Sequence, residues 1–223
     1  MFVSQRAALA LTCLAAACGT APAPAATPSP TSEAASLQAA IERARVDSIR
    51  LPYTAADIHF MSAMIHHHAQ AIEMSRLAPT RATHNGVKLL ASRIINAQQD
   101  EIGLMQRWLE ERNQPVPEAR GGPMKMMMNG VEHEMLMDGM LTEAQMTELA
   151  RTSGGGFDEL FLRYMIQHHT GAVTMVRDLF ATDGAGQDEM VFRLATDVNV
   201  DQITEINRME RLLFEVMVER STP

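Results

Sequence analysis

The chain has two cysteines, Cys13 and Cys18, and both fall within its first eighteen residues. Everything downstream therefore has no disulfide and no thiolate to offer a metal. Aromatic residues make up 4% of the sequence, with a single tryptophan. Basic residues are the minority, 19 against 27 acidic ones, for a net charge of −8. That balance disfavours nucleic acid or an anionic membrane surface as partners and favours cations. The apolar run from Ala7 to Ala17 is too short to anchor stably across a bilayer. No Ser/His/Asp, Cys/His or phosphate-loop arrangement is present, so no reaction is implied.

What the chain does have is methionine, 18 of 223 residues, and a duplication that carries it. Met64-Ile65-His66-His67-His68 returns as Met165-Ile166-Gln167-His168-His169. The pairing is ungapped from Asp57 on Asp158, through Phe60 on Phe161, to Met74 on Met175. Gln98-x-x-Glu101-Ile102 then pairs with Gln202-x-x-Glu205-Ile206, at a register three residues longer. The chain is a repeated two-helix unit.

Residues 1–17 read as an export signal. Ala15-Ala16-Ala17 before Cys18 has the form of a lipobox, which makes Cys18 the expected lipidation site and places the protein in the periplasm or at the cell surface. Residues 18–36, rich in Ala, Pro, Thr and Ser, form a tether. The helical domain spans 37–223, with a short amphipathic helix expected over Leu37 to Arg50. Repeat one covers 54–112, a Met-rich crossover 113–156, and repeat two 157–219.

Thr54-Ala55-Ala56-Asp57 is a capping box, so the first His helix starts at Ala55 and runs to about Leu77, where Pro79 stops it. The second is expected from about Val87 to Arg112, the third from Phe157 to Phe180, and the last from Asp188 to Glu219. Thr142 caps a short helix over Leu141 to Arg151, and Gly154-Gly155-Gly156 reads as a flexible joint. No segment shows a strand signal. Two antiparallel pairs joined by one long crossover make an all-α, ferritin-like four-helix bundle.

Residues at i, i+3, i+4 and i+7 share a helix face. Met64 is therefore next to His67 and His68, with Met61 a turn below; Met165 stands in the same relation to His168 and His169. His67 and His168 fall on the apolar face, where twofold packing would bring them together. Imidazole with thioether is a donor set for Cu(I), and imidazole serves Cu(II) as well. Met74, Met175 and His66 are further candidate ligands. Glu101, Glu205, Gln98 and Gln202 are placed to orient the imidazoles from behind. Met124, Met126, Met127, Met128, His133, Met135, Met137 and Met140 lie in the crossover with no periodicity to bury them, and read as an accessory capture segment for a soft metal. Because imidazole must be neutral to bind, affinity is expected to fall through a pH of about 6.5.

Two other readings compete. The His-His pairs form a buried polar network setting helix register in a metal-free interaction module. Alternatively, the scaffold is a di-metal oxidase, which requires Glu-x-x-His motifs; Glu101 and Glu205 have no His three residues on, so the carboxylate set falls short.

The string from Pro52 to Ala71, the run from Asp158 to Met175, and Gly139-Met140-Leu141-Thr142 resemble a known bacterial family, the "domain of unknown function 305" group with its CopM-like copper-binding proteins. The resemblance spans about Leu51 to Leu213 and implies a ferritin-like bundle outside the cytoplasm. For some members it implies copper binding and copper resistance. A chain that sequesters Cu(I) or Cu(II) or hands it on would have a copper-transfer protein as its partner. The motif positions carried over are Met64, His67, His68, Met74, Met165, His168, His169 and Met175. The residue before each His-His, often Pro in the family, is here His66 or Gln167.

Overall fold

The computed structural model describes residues 53–128 and 131–221, together with helical positions 35, 38 and 39. The expected signal, Cys18, the tether and the helix over 37–50 lie outside the described residues, those three positions aside. Residues Met1–Ser48 and Ile49–Pro223 are separate units, and all the helices and strands below belong to the second.

The second unit is mostly helical: α1 Ala55–Ser75, α2 Ala78–Arg81, α3 Asn85–Glu111, α4 Glu143–Arg151, α5 Gly155–Ala181 and α6 Glu189–Ser221. The capping box at Thr54 forms, with Asp57 Oδ2 accepting from the Thr54 amide at 2.6 Å. Helix α1 ends at Ser75, earlier than Leu77. Pro79 does not simply terminate it but occupies the first turn of α2, where its missing N–H costs nothing. Gly154 alone is the joint, with φ +67°, while Gly155 and Gly156 begin α5. Among the described residues no helix is long and apolar enough to cross a membrane.

The crossover contains two strands where an irregular loop was expected. Strand β1, Met124–Met128, pairs antiparallel with β2, Val131–Met135, placing Met126 opposite His133. The overlooked signal is Asn129-Gly130, the dipeptide that most strongly favours a two-residue hairpin.

Helix α1 packs along α3, α5 along α6, and α1 on α5. Buried apolar side chains fall into two large clusters. One holds Phe60, Met61, Met64, Ile102, Met105, Trp108, Val176 and Val198; the other holds Met74, Leu90, Ile94, Phe157, Phe161, Met165 and Met209. On α3, α5 and α6 the two clusters are separated by buried polar positions, Gln98, His168-His169 and Gln202; on α1 the buried His67 and His68 lie where the first cluster begins to give way to the second. The core is thus two apolar layers with a polar layer between them.

The repeats are clasped reciprocally. Asp57, at the start of α1, accepts from Gly186 N in the α5–α6 connection at 2.7 Å. Its repeat partner Asp158, at the start of α5, accepts from Thr83 N, Thr83 Oγ1 and His84 N in the α2–α3 connection, at 2.5–3.2 Å. The helices following these connections are capped at matched positions, α3 by His84 Nδ1 and α6 by Asp188 Oδ1. Both clasping aspartates are buried, so losing either carboxylate removes the acceptor for amide donors in the connection of the other repeat and leaves a polar pocket unfilled. Asp158→Ala is expected to destabilise the fold by about 2–4 kcal/mol. Urea unfolding checks this, and a midpoint equal to that of the unaltered chain would contradict it.

Candidate metal centre

The polar layer is built around four imidazoles that are 0% exposed, His67 and His68 from α1 and His168 and His169 from α5. The rings of His67 and His168 face each other with centroids 3.9 Å apart and planes at 42°. His68 and His169 lie further round their helices, with centroids 6.4 and 6.2 Å from those of their neighbours. His169 Nε2 is hydrogen-bonded to Glu205 Oε2 at 2.7 Å. His68 Nε2 is equally close to Glu101 Oε2, 2.7 Å, but is not aligned with it as a hydrogen bond.

The layer is poorly satisfied. His67 Nδ1, His68 Nδ1, His169 Nδ1 and both ring nitrogens of His168 are buried without a hydrogen-bond partner. Both amide atoms of Gln98 and Oε1 of Gln202 are in the same condition. A buried polar group left without a partner costs about 1–3 kcal/mol. Native cores rarely tolerate several together unless an ion, water or function accounts for them.

Part of the crossover lies across the site as a strap. His67 Nε2 is 3.0 Å from the carbonyl oxygen of Asp138, which fixes one end of that ring. Gln70 holds the strap from α1, donating to Leu141 O at 2.9 Å and accepting from Leu141 N at 2.6 Å. Gln167 donates to Gly139 O at 3.2 Å. The strap approaches α5 so closely that a Cβ at Gly171 would sit 1.9 Å from Asp138 O, and only glycine fits there. Gly139 has φ +75° in the same contact. Sequence reasoning gave neither Asp138 nor Gln70 a role. Asp138 acts through its backbone, which no side-chain pattern reveals.

The remaining predicted ligands divide. Met64 and Met165 are buried one turn from the histidine pairs, at the edges of opposite apolar layers, and Met61 packs beside Met64. Met74 lies in the second apolar layer, whereas its repeat partner Met175 is half-buried at the strap, so the matched positions have different surroundings. Met137 and Met140 are not exposed as expected. They are buried with Met124 and Met175 around Ala63, because the strap folds back onto α1. Met135 is exposed and borders a cavity of about 290 Å³ with His59, Met137 and Met175. Met126, Met127, Met128 and His133 lie on the two strands, and their side chains are outside the described part. His66 is occupied by the crossover, Nδ1 3.0 Å from Arg120 O, and Glu73 accepts from Gly121 N nearby.

Among the described residues no three His, Cys, Asp or Glu side chains converge on a single point. The donors come instead as a facing imidazole pair, flanking imidazoles backed by carboxylates, and thioethers one turn away. Neutral, soft donors in a dry core suit copper better than Mg²⁺ or Ca²⁺.

Burial pushes the His67 imidazole down to about 3, with the neighbouring His68 adding to the shift. Burial, followed by the charge of His67, holds His168 well below 6.5. The expectation that protons compete for these two rings near pH 6.5 is corrected accordingly. In the metal-free chain the unfolded state takes up protons below 6.5 while the folded state refuses them. Stability is therefore unaffected by these rings above pH 6.5 and is lost as pH falls towards 3, by up to about 1.4 kcal/mol per unit for each ring. Denaturant midpoints between pH 7 and 4 check the slope, which His67→Gln with His168→Gln should flatten. An identical slope in that variant would contradict the assignment.

The family profile of the "domain of unknown function (DUF305)" matches residues 57–213. A DUF305 fragment from Deinococcus radiodurans is 30% identical, with 74% of this chain and 99% of that one covered at a TM-score of 0.61. A DUF305 protein from Streptomyces coelicolor is 31% identical over 72% and 92%, at 0.60. CopM in its Cu(II)-bound form is 29% identical over 71% and 96%, at 0.55, and its Cu(I)-bound form is 30% identical over 72% and 95%, at 0.53. No curated protein sequence matches. With the profile spanning the duplicated helices and a solved member covered almost end to end, the chain belongs to the DUF305 family.

Proposed function

We propose that this is an exported copper-binding protein, tethered through a lipid at Cys18, that sequesters Cu(I) or Cu(II) or hands it to a transfer partner. Its helices form a ferritin-like four-helix bundle made from two copies of one hairpin. His67, His68, His168 and His169, with Met64 and Met165, would hold the metal. The Met-rich crossover would serve as an accessory capture segment.

The observation that carries this reading is the set of buried imidazole nitrogens with no partner, supplied at equivalent positions by both repeats. Structural histidines in a core are normally hydrogen-bonded. Here the polar layer interrupts two well-packed apolar layers at a cost that a bound ion would offset. CopM, about 30% identical and covered over nearly its whole length, has been solved with Cu(I) and with Cu(II). The thioethers suit the reduced ion, and the imidazoles suit both states.

A metal-free module whose histidines set helix register is the second reading. It draws on the absence, among the described residues, of a three-residue cluster of His, Cys, Asp or Glu. Copper titration of the chain, with and without reductant, decides between them. His67→Ala with His168→Ala is expected to abolish the tightest site while leaving the helical circular dichroism in place. Unchanged copper stoichiometry in that variant would overturn the site assignment, and no binding by the unaltered chain would favour the metal-free module.

A further inference from the structure

The strap covers α1 and α5, where Asp138 O occupies His67 Nε2 and the crossover occupies His66. The other two long helices, α3 and α6, touch each other little and leave a separate cavity of about 240 Å³. Glu101 of α3 and Asp201, Gln202, Glu205 and Arg208 of α6 border it. Three carboxylates thus face one guanidinium.

This cavity connects to the polar layer. Glu101 and Glu205 are the carboxylates lying 2.7 Å from His68 Nε2 and His169 Nε2, and they are 13% and 22% exposed while both rings are fully buried. Each carboxylate therefore has one side towards an imidazole and the other towards the cavity. Gln202, 2% exposed, borders the same cavity with Oε1 unpartnered. The Asp201 carboxyl is raised by burial and by the negative charges of Glu101, Glu205 and Asp197, which marks a concentrated negative potential at the mouth.

We infer that the α3–α6 cleft is the entrance by which a copper ion reaches the buried imidazoles, with Asp201 drawing the cation in and Glu101 and Glu205 passing it to His68 and His169. The inference rests on the copper reading above and adds to it a route and a direction. Three carboxylates outweigh the single Arg208 guanidinium in this cleft, and an excess of negative charge in a cleft raises the local cation concentration and the association rate, by about 10-fold or more in favourable cases.

The test is rapid mixing of the full chain with Cu(II), unbound metal being read with a chromogenic chelator. Asp201→Asn is expected to lower the association rate about threefold or more and leave the dissociation rate unchanged. Glu101→Gln with Glu205→Gln is expected to lower it about tenfold or more. The rate for the unaltered chain should fall with added salt, and both variants should flatten that dependence. Glu210→Gln, an exposed charge outside the cleft, should behave as the unaltered chain does. Copper that binds all variants at one rate would overturn the entrance and leave the copper site standing. A change in dissociation alone would overturn the entrance equally, because the glutamates would then be positioning residues. An unaltered chain that takes up no copper would overturn both.

Discussion

Four imidazoles and two glutamine amides have been placed between two apolar layers, and the rest of the structure is arranged around that choice. A hydrocarbon core offers such groups no compensation for the water they leave. The fold answers with three kinds of contact: a backbone carbonyl from the strap, a carboxylate from α3 or α6, and the facing ring of the other repeat. These contacts do not suffice, because ring nitrogens and amide atoms remain without partners. A core designed only for stability would fill this layer with leucine. The persistence of unpaired donors and acceptors at equivalent positions of both repeats is the physical reason for reading the layer as a binding site.

Duplication gives the layer its symmetry, and the crossover breaks it. Asp57 and Asp158 clasp the connections of opposite repeats, which holds α1 and α5 antiparallel and brings His67 against His168. His66 and Gln167, the equivalent residues before each His-His, both reach the crossover, one at Arg120 O and the other at Gly139 O. Only His67, however, receives the strap carbonyl. Gln70 is large enough to anchor the strap, while its repeat partner Gly171 is small enough to let it in. One side of the layer is thus closed by backbone and methionine, and the α3–α6 side is lined by carboxylate. Soft and hard donors flank the same imidazoles from different directions.

Much of this was legible in the sequence. Helical periodicity, the Thr54 capping box and the ungapped repeat locate the long helices to within a few residues. The same periodicity puts His67 and His168 on one apolar face and Glu101 and Glu205 behind the outer imidazoles. What escaped was non-local or carried by the backbone. The burial of Met137 and Met140 depends on the strap folding onto Ala63, which no local pattern encodes. The Asp138 carbonyl has no side-chain signature. Asn129-Gly130 was readable as a hairpin signal, but the surrounding methionines resemble an irregular loop more than alternating strands. The unequal surroundings of Met74 and Met175 follow from the strap, a single unrepeated segment that packs against Met175 while Met74 lies in the second apolar layer.

The most direct test of the proposed copper centre is the X-ray absorption spectrum of the chain incubated with copper, recorded at the copper edge for the reduced and oxidised ion at one equivalent. Imidazole scattering is expected in both states, with a sulfur contribution in the reduced state that Met64→Leu with Met165→Leu removes. A spectrum dominated by sulfur and indifferent to replacement of His67 and His168 would place the copper on the crossover methionines, and the polar layer would then be no metal centre.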